Sequence, residues 1–413
     1  MKAAAHRVST AHVQAAYPFV SEGGLGGEGV YVGREVLGGA FCYDPWVLYA
    51  RGVLTNPNML VAGQVGRGKS SFVKSYLWRQ QVFGRRAWIV DPKGEYGPLA
   101  AACGVTPISI GPGSPVRLNP LDAGPGFAEL GVEEVTRRRV GLLTSLAAAS
   151  LRRPLTPEEQ TACDLAVRVA STDKPDATTL PDVVQALLWP DEQAAAGIAS
   201  DVATLAAASR QVALELRRLC QGDLAGMFDG PTTAGLDLDA PVVVLDLSAL
   251  YGSDAMGLFM LCATAWLQAS FSIARRDERR IVVVDEAWAI LRDTQIARWL
   301  QASWKLSRQY GVANIAVIHR LSDLQAAGAA GSEQARLAEG LLADSETRVV
   351  YGQSSSEVRA AHELLGLTDV EAEILPELGR GVALWRVGVR SFLVEHRLGG
   401  QETALVNTDA RMV

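Results

Sequence analysis

Gly63-Gln64-Val65-Gly66-Arg67-Gly68-Lys69-Ser70 is a complete G-x-x-x-x-G-K-[ST] loop, set between the apolar run Met59-Leu60-Val61-Ala62 and a stretch with helical patterning over 71–81. Strand, glycine loop and helix in this order predict a site for a nucleoside triphosphate. Glycine lets the backbone come close to a phosphate chain and adopt positive φ, and the following helix presents unpaired amides and the positive end of its dipole. Lys69 is expected to reach the β and γ phosphates, while the Ser70 hydroxyl holds Mg²⁺. The cradle for the triphosphate therefore comprises Gly63, Gln64, Val65, Gly66, Arg67, Gly68, Lys69, Ser70 and Ser71. Lysine is scarce here, six against thirty-three arginines among 39 basic residues, so this composition yields the pattern by chance at about one in a hundred.

Working outward, 413 residues exceed one compact unit and predict a main domain carrying a sizeable insertion, or two domains. A formal net charge of −6 excludes a broad nucleic-acid-coating surface and leaves room only for a local arginine patch. Cys42, Cys103, Cys163, Cys220 and Cys262 form an odd set without a C-x-x-C pair, which points to core residues in a reducing cytoplasm. Residues 1–14 carry Lys2 and Arg7 with no apolar run behind them, so no secretory leader is read there. Residues 257–274 are nearly all apolar, but Thr264, Gln268, Ser270 and Ser272 interrupt them and strand-like runs flank them. A buried crossover helix is expected, with no residue in a bilayer.

The remaining pattern is α/β. Residues 29–44 alternate around Gly38-Gly39 and predict a short N-terminal β-hairpin. The G-x-G-x-x-G match at 24–29 lacks a strand before it and a helix after it, and reads as a flexible lead-in loop. Buried strands are expected at 87–91, 242–246, 281–285, 313–318 and 347–351, separated by helical stretches as in a parallel sheet covered on both faces. Residues 382–387 and 391–395 predict a terminal hairpin. Between Leu121 and Asp229 no useful β-branched run occurs, and Thr156-Pro157-Glu158-Glu159 and Thr179-Leu180-Pro181-Asp182 read as helix starts. The expected organisation is an N-terminal extension at 1–45, an ATPase domain at 46–122 and 231–413, and an all-helical insertion at 123–230. Arg137-Arg138-Arg139 within the insertion reads as a solvated face rather than a nucleic-acid patch.

Hydrolysis of a phosphoanhydride also needs a carboxylate for the Mg²⁺ shell and a group acting on the attacking water, both at strand ends beside the loop. Ile281-Val282-Val283-Val284 followed by Asp285-Glu286 supplies them, with Asp285 toward the metal and Glu286 toward the water. Asp246 also ends a strand but has no acidic neighbour, and is expected to cap it. Asp91-Pro92-Lys93-Gly94-Glu95-Tyr96, taken alone, is a turn.

Taken together the motifs resemble one family. The series runs from the phosphate loop through Asp91 to Tyr96, Leu118-Asn119-Pro120-Leu121-Asp122, residues 224–230, Val284-Asp285-Glu286-Ala287-Trp288, Ser307-Arg308-Gln309-Tyr310-Gly311 and Val317-Ile318-His319-Arg320-Leu321-Ser322-Asp323-Leu324. It resembles the ATPase domain of the large type IV secretion and conjugation ATPases, in the FtsK/HerA group of P-loop motors. The resemblance implies a RecA-like P-loop NTPase fold, ATP and Mg²⁺ as ligands, and a hexameric ring with ATP between subunits. It further implies a γ-phosphate sensor at His319, where the family usually has Gln. Arg308 would reach a neighbouring subunit's phosphates, with Arg348 and Arg380 as weaker alternatives. Glu95 is a second carboxylate for the water. The family carries a large N-terminal docking domain, whereas roughly sixty residues precede the loop here, too few for such a unit. That domain is expected on another chain or trimmed away. The implied function is a motor for secretion or conjugative transfer, peripheral at the inner face of the cell membrane and docked on inner-membrane components. The alternatives are a DNA-translocating or coupling ATPase, and a nucleotide-gated scaffold with little turnover.

Overall fold

The computed structural model describes residues 24–36, 38–123, 131–221, 225–237, 240–253, 256–271, 278–288, 294–306, 310–319 and 333–406. Its frame is one eleven-stranded sheet. The strands are β1 (Val30–Glu35), β2 (Ala40–Tyr43), β3 (Met59–Ala62), β4 (Arg86–Asp91), β5 (Ile108–Ser109), β6 (Val242–Asp246), β7 (Arg280–Val284), β8 (Val312–Ile318), β9 (Thr347–Tyr351), β10 (Val382–Val387) and β11 (Arg390–His396). Their order is β2-β1-β11-β10-β9-β3-β8-β7-β4-β6-β5. From β9 to β5 every neighbouring pair is parallel, and β10, β11, β1 and β2 extend the sheet antiparallel. The expected α/β class, the mainly parallel sheet and both hairpins are therefore present.

The central strands are apolar on both faces because both faces are covered. Leu60 and Ala62 of β3 enter one core layer while Met59 and Val61 enter the other, and Val282 and Val284 of β7 likewise oppose Ile281 and Val283. On one face lies α1 (Lys69–Gln80), which buries Phe72, Val73, Tyr76 and Leu77. On the opposite face the sheet meets a group of helices, chief among them α2 (Val132–Leu151), α3 (Pro157–Asp173), α4 (Leu180–Leu188) and α5 (Val202–Cys220). Both helix starts read from the sequence are formed: Thr156 and Thr179 accept from the amides of Glu159 and Asp182, whose carboxylates accept from the Thr amides in return. The chain passes into and out of this group through paired segments. Leu118 N donates to Met227 O at 2.9 Å, Thr233 N to Arg117 O at 3.0 Å, and Thr232 Oγ1 to Asp122 Oδ2 at 2.7 Å.

The apolar stretch after β6 forms α6 (Met256–Phe271), with Phe259, Met260, Leu261, Cys262 and Trp266 buried in the sheet-facing core. Among the described residues no helix is long and apolar enough to cross a membrane. All five cysteines are free, three buried and Cys42 and Cys103 half-buried. The solvated reading of the arginine triplet fails at Arg139. Its guanidinium is buried beneath α2 and donates to Leu121 O at 2.8 Å, Ser171 Oγ at 3.1 Å and Pro175 O at 2.8 Å. Arg137 is exposed, and Arg138 reaches Glu134 and the Tyr310 hydroxyl.

Candidate nucleotide site

Strand order puts the chemistry at one end of the sheet. β3 lies between β9 and β8, and β8, β7 and β4 follow in turn, so the loop after β3, His319 after β8, Asp285-Glu286 after β7 and the turn after β4 are consecutive along the C-terminal edge. No sequence-adjacent pair of motifs creates this; the parallel register does.

The phosphate loop is fixed by its neighbours. Gln64 N donates to Gly352 O beyond β9 at 3.1 Å, and Gly381 N donates to Arg67 O at 3.0 Å. Gly63 has φ 152° and a Cβ there would stand 2.6 Å from Tyr351 Cβ; Gly68 has φ 112° and opens α1 without a side-chain cap. The first amides of that helix are thus left for a ligand. Lys69 is only 3% exposed, and its ammonium donates to Gly63 O and to Gln64 O at 3.0 Å. Burial lowers its pKa to about 8, against the opposing pull of Asp285 and Glu286. A buried ammonium beside the loop's backbone suits an anionic partner. Ser70 and Ser71 lie half-buried on the first turn of α1, while Gln64, Val65 and Gly66 are exposed at the mouth and Arg67 donates to Leu378 O at 3.3 Å.

The carboxylates sit across from the loop. Asp285 is buried, and burial together with the adjacent Glu286 charge raises its pKa to about 6, although Glu286 N donates to Oδ1 at 2.9 Å. Glu286 has φ 51°, a left-handed conformation held by Asp285 N donating to Val90 O and Ala287 N to Val317 O. For a residue with a Cβ this costs on the order of 1 kcal/mol, which aims the side chain away from the strand line. Its carboxylate meets Lys93 Nζ and, at 2.5 Å, His319 Nε2 on one oxygen, and receives the Trp288 indole N–H on the other. Burial pushes the Glu286 carboxyl up, but hydrogen bonds from His319, Lys93 and Trp288 outweigh it and hold the pKa at about 2.

Lys93 is the residue that sequence reading passed over. The Asp91 turn is built as expected, Asp91 Oδ1 and Oδ2 accepting from the amides of Lys93 at 3.2 Å and Tyr96 at 2.9 Å, but its product is a lysine delivered onto Glu286. A lysine between Pro and Gly at a strand end was the available signal. Glu95 is half-buried in the same turn, and its charge acts on Lys69 and on Lys74, a fully buried lysine whose ammonium stands 5.3 Å from the Tyr96 ring centre. Asp246 caps its strand, accepting from Ser248 N at 2.8 Å. Arg308 lies outside the described residues. Arg348 is tied to its own chain through Ser345 O, Leu342 O and Leu365 O, and Arg380 is exposed.

The donor set suits a hard cation. Ligand atoms of Asp285, Glu286 and His319 lie within 4.8 Å of one another, and Asp285, buried beside the Glu286 charge, has its pKa raised.

Neither a protein-family model nor a curated protein sequence matches the chain. Solved structures do. VirB4 of Thermoanaerobacter pseudethanolicus matches with TM-score 0.71 and 22% identity, over 92% of this chain and 100% of that one. The bacterial conjugative coupling protein TrwBdeltaN70 matches with TM-score 0.56 and 14% identity, over 95% and 92%. Plasmid coupling protein TrwB in complex with ADP and Mg²⁺ matches with TM-score 0.54 and 15% identity, over 83% and 86%. Across nearly its whole length, this chain has the RecA-like P-loop fold shared by VirB4 and TrwB.

Proposed function

We propose that the chain is an ATP-hydrolysing motor that powers a type IV secretion or conjugative transfer machine. The observation that carries this reading is the convergence of Lys69, Asp285, Glu286 and His319 on one end of a parallel sheet whose fold is that of VirB4 along the whole of that structure. The loop amides and Lys69 bind the phosphate chain. Ser70 and Asp285 hold Mg²⁺, which supplies charge neutralisation to the phosphates when bound. Glu286 accepts the proton of the attacking water as the new P–O bond forms and the bond to the bridging oxygen of the leaving diphosphate breaks. Glu95 is the second candidate for that proton. His319 faces Glu286 from the end of β8, and in this reading it senses the terminal phosphate.

In this reading the working form is a hexameric ring with nucleotide between subunits and Arg308 reaching across. It docks peripherally on inner-membrane secretion or conjugation components at the cytoplasmic face. The likeness to TrwB supports the second reading, a DNA-translocating or coupling ATPase of the same motor group. The net charge of −6 and the burial of Arg139, which removes one of three arginines from any DNA-facing patch, favour the first.

Turnover measured against protein concentration, with and without single- and double-stranded DNA, separates these. The secretion motor is expected to show activity that rises with concentration and ignores DNA. Strong stimulation by DNA would promote the coupling ATPase, and nucleotide binding without turnover would favour a gated scaffold.

A further inference from the structure

Three of the six lysines in this arginine-rich chain, Lys69, Lys74 and Lys93, stand at the nucleotide site. Where arginine is otherwise the cation of choice, a compact point charge on a flexible stem has been used instead. Lys69 rests on backbone carbonyls of its own loop. Lys93, from the opposite side of the cleft, rests on Glu286 and stands 3.2 Å from His319 Nε2.

We propose that Lys93 reads the terminal phosphate: without nucleotide its ammonium is parked on the Glu286 carboxylate, and a terminal phosphate draws it away and frees that carboxylate for the water proton. This rests on the ATPase reading above and adds a residue that selects triphosphate over diphosphate.

Mobility is on the side of the lysine. The Glu286 side chain is 2% exposed, fixed by its left-handed backbone and by Trp288, whereas the Lys93 side chain is 25% exposed. Gly94 follows at φ 68°, and the Tyr251 ring, centred 5.9 Å from Nζ, offers a cation–π surface beside the parked position. Both carboxylate oxygens of Glu286 are occupied, one of them by a full positive charge. A carboxylate has room for a water beside these contacts, but one paired with an ammonium is a weaker acceptor for the water's proton, so release of Lys93 favours hydrolysis. The incoming phosphate chain carries net negative charge toward the space that Lys69 and Lys93 share, where each ammonium opposes the other's charge. The terminal phosphate is the one acceptor that can exchange for Glu286 and that a diphosphate lacks.

The test is calorimetric binding of ADP and of a β,γ-imido ATP analogue, each with Mg²⁺, to the full chain and its Lys93→Met and Lys93→Arg variants. Lys93→Met is expected to weaken the analogue about tenfold while leaving ADP within about twofold, with Lys93→Arg recovering part of the loss. kcat is expected to fall with KM for ATP rising. Equal weakening of both ligands, or no change in either, overturns the proposal while leaving the ATPase reading in place. A wild-type chain that binds neither ligand overturns both. If Lys93→Met lacks a native melting transition, Lys93→Gln, which keeps a hydrogen-bond donor to Glu286 without the charge, takes its place.

Discussion

At the residue scale, Glu286 and Asp285 are adjacent carboxylates pushed in opposite directions. Replacing Glu286 by Gln keeps the shape and the indole hydrogen bond but removes the proton acceptor. Nucleotide binding is expected to persist while turnover falls at least about a hundredfold, measured by phosphate release. Retained turnover would move the role to Glu95. Asp285 yields a pH prediction. Its folded pKa, about 6, lies above the ordinary carboxylate value, so the stability that its protonated form contributes is present below pH 4 and lost as pH rises through 6. Asp285→Asn, whose Oδ1 can still accept from Glu286 N, should therefore melt above the wild type at neutral pH without divalent ions, by about 1–3 kcal/mol. The gap should close toward pH 4, and added Mg²⁺ and nucleotide should raise the wild type's melting temperature more than the variant's. A gap independent of pH would show that carboxylate ionisation is not its source.

At the element scale, a cation ties the helical group opposite α1 together and to its neck. Arg139 on α2 satisfies the Leu121 carbonyl in the neck, the Ser171 hydroxyl in the last turn of α3 and the Pro175 carbonyl just past it, so truncation strands buried acceptors as well as removing contacts. Arg139→Ala should cost about 2–4 kcal/mol in chemical denaturation, while Arg137→Ala, at an exposed position paired with Glu134, should stay within about 0.5 kcal/mol. Equal costs would return the triplet to a solvated face. Sequence alone separates these arginines poorly because charge runs usually face water, and only helical phase against the core reveals that Arg139 points inward. The strands were legible for the opposite reason: a run such as Val242-Val243-Val244-Leu245 has no soluble alternative to burial on both faces. The two-residue β5 was not, since so short an element exists only through its partner β6. The Lys93–Glu286 contact was likewise hidden, because it requires β4 and β7 to be neighbours although their residues are far apart in sequence.

At the scale of the whole molecule, the sheet gathers its candidate groups at one open edge, and Arg348, one of the arginines considered for the charge opposite Lys69, is turned onto its own chain. Arg348 is spent on its own carbonyls, and the loop mouth at Gln64, Val65 and Gly66 is exposed. A transition state for phosphoryl transfer gathers charge on its equatorial oxygens, and a guanidinium from a neighbouring subunit is the economical way to meet it. The expectation is testable by mixing. Arg308→Ala and Glu286→Gln should each abolish most turnover alone. In a mixed ring some interfaces pair an intact Arg308 from one subunit with an intact Glu286 from the next, so activity should partly return, rising with the ratio that maximises such interfaces. If Arg308 acted within its own subunit, every site would carry one defect and no ratio would restore turnover. Partial recovery would thus identify both the arginine and the assembly as requirements of the same catalytic step.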